Sequence, residues 1–261
     1  MQVVMIGAGR LATQLGLALK EAGHEVTCVY SRTMASAQTL AETLGTSATD
    51  SLAQLPVAAD VYIVAVKDAA LEQVATEATR GREQQLFLHT AGSMPLEVWR
   101  GKTVRYGVLY PMQTFSKQRR VSFAEIPVFI EASDGATLKV VWQLAESVSG
   151  RVMELTTEQR RHLHLAAVFA CNFANHCYAL SADILQRQGI PFDVMLPLID
   201  ETARKVHTLQ PLEAQTGPAV RYDENVIGSQ MQLLADRPEL QAIYERLSQS
   251  IHRLQHTDST K

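Results

Sequence analysis

Only three cysteines occur among the 261 residues: Cys28, Cys171 and Cys177. They are too few for a disulfide framework, and their spacing matches no metal site. No metal is expected, and Cys171 and Cys177 read as small apolar residues. There is no basic excess either: 24 Lys and Arg stand against 27 Asp and Glu, a net charge of −3. That balance offers nothing to attract nucleic acid. No apolar run reaches the roughly 18–20 residues of a membrane span. Met1 leads directly into a strand pattern, without a basic segment and apolar core before it. The resulting expectation is a soluble, cytoplasmic protein without membrane contact. What is present is a hydrophobic fraction of 46%, enough to bury a sizeable core in one large domain or two.

The first thirty-odd residues organise the rest. Gln2–Ile6 reads as a strand, Gly7-Ala8-Gly9-Arg10-Leu11-Ala12 as a glycine turn opening a helix, and Glu25–Tyr30 as a second strand. This is the dinucleotide-binding unit, with Ala12 as its third small residue. Gly7 lets the chain turn off the strand. Gly9 lets a pyrophosphate approach bare backbone. Ala12 brings the helix close to the strand, and Gly16 is expected to extend that contact. The helix start turns free N–H groups and a positive dipole end toward the anion.

No carboxylate stands where the second strand ends. An NAD enzyme usually offers one there to the ribose 2′-hydroxyl. This chain has Ser31, Arg32 and Thr33 instead. A guanidinium forks onto a 2′-phosphate, and the two hydroxyls can donate to it. The expected cofactor is therefore NADP(H). The plainer alternative makes Arg32 a solvated surface residue and Thr33 a helix cap.

Alternating strands and helices follow. A helix is expected over 33–44, ended by Gly45. The apolar run 61–66 after Asp60 predicts a strand buried on both faces, and a helix is expected over 69–79. Val66, Lys67 and Asp68 sit where an open α/β sheet places its ligand and are candidates for the ribose side. Asp68 reads equally well as a cap. A strand at 85–88 ends in the polar turn 89–95, where Ala91, Gly92 and Ser93 are candidates for the nicotinamide or substrate. His89 is either catalytic or bonded to backbone. A strand over 103–109 leads to Tyr110-Pro111-Met112-Gln113-Thr114. There the stiff Pro111 is suited to holding Tyr110 or Gln113 over a cleft. Strands at 128–131 and 151–154 flank a helix over 134–148. The fold class is α/β: a mostly parallel, doubly wound Rossmann-like sheet (1–154) followed by an all-α domain (155–261).

That second part opens with a capping-box pattern, Thr156 and Gln159, and no strong breaker up to Gln188. A helix of roughly 30 residues would span about 45 Å, which suggests an all-helical second domain or a dimer interface. Shorter helices are expected over 193–208, from 211, over 224–235 and over 238–255. At 100° per residue His164, Val168, Cys171 and Asn175 share a face of the long helix, with Asn172 about 80° from His164. Polar groups in so apolar a run either bond to neighbours or line a wet cleft.

These marks together resemble the superfamily of 6-phosphogluconate dehydrogenase, 3-hydroxyisobutyrate dehydrogenase and pyrroline-5-carboxylate reductase. Within it, the chain looks like a branch of NADP oxidoreductases whose helical C-terminal domain has no defined function. The residues carrying the resemblance are 7–12, 29–32, 89–93, 110–114, His164 with Asn172, and Thr216-Gly217-Pro218. The resemblance implies hydride transfer at an interdomain cleft and a homodimer built from the helical domains. One departure matters. The hydroxyacid members carry a helix lysine four residues before an asparagine, and if Asn172 is that asparagine, Val168 occupies the lysine position. His164, one turn earlier, is the nearest titratable substitute, and an imidazole is suited to proton transfer near neutral pH.

The expected function is NADPH-dependent reduction or oxidation of a small polar molecule: an imine, a carbonyl or a hydroxyacid. His164, Asn172 and Ser93 are the expected catalytic group. The rival expectations are an NADP(H)-binding sensor without catalysis and a structural dimer with a vestigial site.

Overall fold

The computed structural model describes residues 1–116 and 119–257. The chain divides into two compact units, Met1–Asn172 and the residues from Phe173 onward. The sequence pattern changes at 154/155, but the first unit continues for 18 residues past Glu154, through the helical turns that follow the last strand.

The first unit is built on eight strands: β1 (Gln2–Ile6), β2 (Glu25–Tyr30), β3 (Ser47–Thr49), β4 (Val61–Val64), β5 (Leu86–His89), β6 (Arg105–Pro111), β7 (Val128–Ala132) and β8 (Val152–Glu154). Their order is β3-β2-β1-β4-β5-β6-β7-β8. Every neighbouring pair is parallel except β6 and β7. The short, polar β3 carries no periodic signal, which is why the sequence does not announce it. The helices are α1 (Arg10–Glu21), α2 (Met34–Leu44), α3 (Asp68–Ala78), α4 (Gly135–Val148) and α5 (Thr157–Ala167).

Alternation along each buried strand feeds two cores. Val3, Met5, Val61, Ile63, Leu86 and Leu88 pack with α1, α2 and α4 on one face. Val4, Ile6, Tyr62, Val64 and Phe87 pack with α3 and Trp99 on the other. Both faces are covered, so the strands are apolar throughout. Gly16 serves a neighbouring helix rather than the strand: a Cβ there would lie 2.9 Å from a Leu44 methyl carbon of α2. The chain leaves β1 toward β2 and β3 on one side and reaches β4 on the other. The switch point between β1 and β4 is where such a sheet opens a crevice for ligand.

The second unit is helical: α6 (Ala174–Gln186), α7 (Leu196–Lys205), α8 (Pro211–Ala214), α9 (Pro218–Arg221), α10 (Glu224–Gln232) and α11 (Pro238–Thr257). Asp183 is bridged to Arg237, and Arg187 lies 3.2 Å from Asp236. Its apolar interior is small, with Ala219, Ile227, Leu234 and Leu240 buried. Leu196, Leu198, Val206 and Leu209 remain exposed. No helix among the described residues is long and apolar enough to cross a membrane.

Candidate active site

The glycine turn sits at the switch point. Gly7 has φ +123°, and a Cβ there would meet the Ala65 carbonyl oxygen at 2.3 Å. Both facts exclude a side chain. Gly9 caps α1 through its backbone, and a Cβ on it would meet nothing within 4 Å. Ala12 is buried beneath. The first turn of α1 has neither a side-chain cap nor an acidic residue. By contrast, Asp134 caps α4 and a Thr156–Gln159 capping box closes the start of α5. The N–H groups of Arg10, Leu11 and Ala12 thus stand open beside bare backbone, as a bound diphosphate requires.

At the end of β2, the Ser31 amide donates to the Thr49 carbonyl at 3.2 Å, and the Thr33 hydroxyl donates to Ser36 Oγ at 2.9 Å. Thr33 is the N-cap residue of α2 but makes no side-chain capping bond. Arg32 is exposed and has no salt-bridge partner among the described residues. At the end of β4, Val66 is half-buried while Lys67 and Asp68 are exposed. Lys67 is the N-cap of α3 and Asp68 is its first residue. The Asp68 carboxylate accepts the Ser93 hydroxyl proton in a close contact.

A buried ion pair fixes the turn after β5. Arg160 is 1% exposed, and its guanidinium lies 2.9 Å from Glu131 Oε2. It also donates to the carbonyls of Met94 at 2.7 Å, Gly92 at 3.2 Å and Ala91 at 3.3 Å. Glu131 in turn accepts from the Thr157 amide and hydroxyl, both at 2.8 Å. Burial pulls the Arg160 pKa down and the Glu131 carboxylate opposes it.

His89 lies under the same turn and is fully buried. Its Nδ1 accepts from the Ala91 amide at 3.2 Å, which is the backbone-bonding alternative of the two sequence readings. Burial and then the Arg160 charge push its pKa down to about 3, and its Nε2 is buried without a hydrogen-bond partner among the described residues. It is a neutral packing group stacked on Trp99.

Above the turn, Tyr110 and His164 meet. The Tyr110 hydroxyl is 3.0 Å from His164 Nδ1, and the rings pack edge to face. Gly92 lies against both: a Cβ there would be 2.6 Å from Nδ1 and 2.8 Å from Tyr110 Cζ. Burial raises the Tyr110 pKa; Arg160 lowers it and Asp68 raises it further. The pair lines a cavity of about 500 Å³ that also takes in Gln113, Val168, Cys171 and Asn172. None of its lining side chains is an Asp, Glu, Lys or Arg.

His164 and Asn172 therefore share one cavity. Ser93 lies outside its lining, one residue beyond Gly92. Asn175, which regular winding puts on the His164 face, is not among the lining residues. Residues Val168–Phe173 form a π-helical stretch. Its wider winding brings Asn172 round to the cavity. The sequence reading missed this stretch and missed Arg160 with Glu131. A faint signal existed for the pair, since Glu131 is the only charge in the apolar strand β7.

Residues 2–91 match a family described as NADP oxidoreductase, coenzyme F420-dependent, and residues 126–251 match a domain of unknown function, DUF2520. A Bacteroides fragilis protein, BF3122, described as an NADP oxidoreductase, is 54% identical over 97% of this chain and 98% of its own, with a TM-score of 0.92. The chain belongs to this NADP oxidoreductase family. Two more distant structures share its fold. An imine reductase from Myxococcus stipitatus, solved with NADP+, is 20% identical over 97% of this chain and 93% of its own, with a TM-score of 0.71. A pyrroline-5-carboxylate reductase from Coxiella burnetii is 17% identical over 97% of this chain and 96% of its own, at 0.59. No protein of curated function matches. In the oxidoreductase the DUF2520 match begins at Ile126 and ends at Ile251, so it takes in β7, β8 and α5 as well as the helical unit up to that residue.

Proposed function

We propose that this oxidoreductase reduces the carbon–nitrogen bond of an imine, or a carbonyl, with NADPH. The observation that carries the reading is an imidazole at the cavity wall, held at one nitrogen by Tyr110 and beside a turn that ends on Gly92 and Ser93. When bound, NADPH supplies a hydride to the substrate carbon. His164 enters the step as the imidazolium and hands its Nε2 proton to the substrate nitrogen or oxygen, ending as the neutral imidazole, so the double bond becomes C–H and N–H or O–H. General acid catalysis of this kind is worth about 10²–10⁴ in rate. Asn172 orients the substrate by hydrogen bonding, and Ser93 acts from the turn beside the cavity, outside its lining and with its hydroxyl on Asp68. A lysine route for hydroxyacids has no counterpart here, because Val168 carries no proton.

Gly7, Ala8, Gly9, Arg10, Leu11 and Ala12 hold the diphosphate. Ser31, Arg32 and Thr33 take the 2′-phosphate, and Val66, Lys67 and Asp68 line the ribose. Ala91 and Gly92 lie toward the nicotinamide. The open space over Gly9, the uncapped start of α1 and the unpaired Arg32 all suit NADP. The helical unit forms a homodimer through its exposed apolar side chains.

The test is NADPH consumption over a panel of cyclic imines, aldehydes and 2-oxoacids. Turnover is expected in at least one class. His164→Ala should lower it by 10²-fold or more while NADPH affinity stays within a few-fold. Unchanged turnover in that variant removes His164 from the reaction. The valine at position 168 also favours a second reading, an NADP(H) sensor without catalysis, which the same panel separates: NADPH would bind but never be consumed.

A further inference from the structure

We infer that Tyr110 is the positioning residue of the site: its hydroxyl donates to His164 Nδ1, fixes the ring as the Nε2–H tautomer, and so leaves the Nε2–H bond free for the cavity. The relevance to turnover rests on the proposed reduction; the tautomer assignment does not.

The geometry is specific. The Tyr110 oxygen lies 3.0 Å from His164 Nδ1. His164 Nε2 takes no hydrogen bond from the described residues, yet it is not among the buried atoms lacking a partner, so it reaches open space. A histidine nitrogen that accepts a hydrogen bond leaves the proton on the other. Tyr110 is 8% exposed and sits opposite Phe129 in the antiparallel β6–β7 pair, with ring centroids 6.3 Å apart. Its burial keeps the phenol protonated, and His164 Nδ1 is the one hydrogen-bond partner the hydroxyl has among the described residues, so its proton points to the ring and the phenol is the donor of the pair.

Gly92 is the second half of the device. Its φ is not positive, so the need for glycine there is one of space. A methyl group at position 92 would press on both His164 and Tyr110. Arg160 grips the Gly92 carbonyl at 3.2 Å, so the turn cannot back away without disturbing the buried pair with Glu131. Any side chain at 92 must therefore displace the imidazole from the phenol.

The experiment is ¹⁵N NMR of the histidine rings in the full-length, cofactor-free protein, recorded above the imidazole titration, for wild type, Tyr110→Phe and Gly92→Ala. Wild-type His164 should show a protonated Nε2 and an unprotonated Nδ1. Tyr110→Phe keeps the ring that packs on Phe129 and should give a mixture of tautomers; Gly92→Ala should do the same. On whichever substrate the panel identifies, Tyr110→Phe should lower kcat at least tenfold with KM for NADPH within about twofold. A wild-type Nδ1–H tautomer overturns the inference, even if neither variant folds. So does an unchanged tautomer in Tyr110→Phe, or an altered tautomer with unchanged kcat. Tautomer scrambling in a protein that turns over nothing supports the assignment and removes the reductase reading instead.

Discussion

A neutral histidine inside a protein is an acid-labile group, and His89 is one. Its pKa falls from 6.5 in the unfolded chain to about 3 when folded. Between those values the unfolded state binds a proton that the folded state does not. Stability from this group is therefore fully present above pH 6.5 and is lost as pH falls toward 3. Urea unfolding across that range should show a steeper acid loss for wild type than for His89→Gln, and equal slopes would contradict the assignment. Residue-scale roles were unevenly legible. Gly7 and Gly9 declare themselves because turn and helix follow at once. His164 was legible as a candidate because it replaces a lysine one turn away. Its contact with Tyr110 was not, because 54 residues separate them and only the fold joins them. Arg160 shows the limit most sharply. It stands beside Arg161 in sequence; one is buried and the other exposed, and nothing in the pair of letters says which.

At the scale of elements, α5 is placed by its capping box and by the Arg160–Glu131 pair together. The box was legible, since Thr156 and Gln159 have the required spacing. The pair was not, since it joins a strand to a helix across 29 residues. Removing one partner leaves a buried charge uncompensated, at a cost of about 3–5 kcal/mol. Arg160→Met should lower unfolding stability by that amount, read by urea denaturation, with the Glu131 carboxylate left without its guanidinium. A loss below about 1 kcal/mol would mean that solvent reaches the pair, contrary to its burial. The π-helical stretch Val168–Phe173 was the element least open to reading. No Pro or Gly marks it, and its composition suits a plain α-helix. An even 100° step per residue sets Asn172 about 80° from His164, whereas both line one cavity.

At the scale of the whole molecule, the alternating pattern before Leu155 foretold the sheet and its helices, because strands buried on both faces are apolar without interruption. The antiparallel turn from β6 to β7 carries no comparable mark. The helical unit keeps Leu198 59% exposed and Leu233 79% exposed. Exposed apolar surface on this scale points to a partner, and a second copy of the chain is the expected one. Sedimentation equilibrium should give twice the mass of one chain, and a monomer at micromolar concentration would contradict the dimer. The cofactor turn does not depend on that outcome. Titration of NADPH and NADH into the folded protein, alongside Arg32→Ala, tests the central claim most directly. NADPH should bind at one per chain and more tightly than NADH, and Arg32→Ala should weaken NADPH by tenfold or more while leaving NADH unchanged. Failure of folded protein to bind either nucleotide, or equal affinity for both, would contradict it.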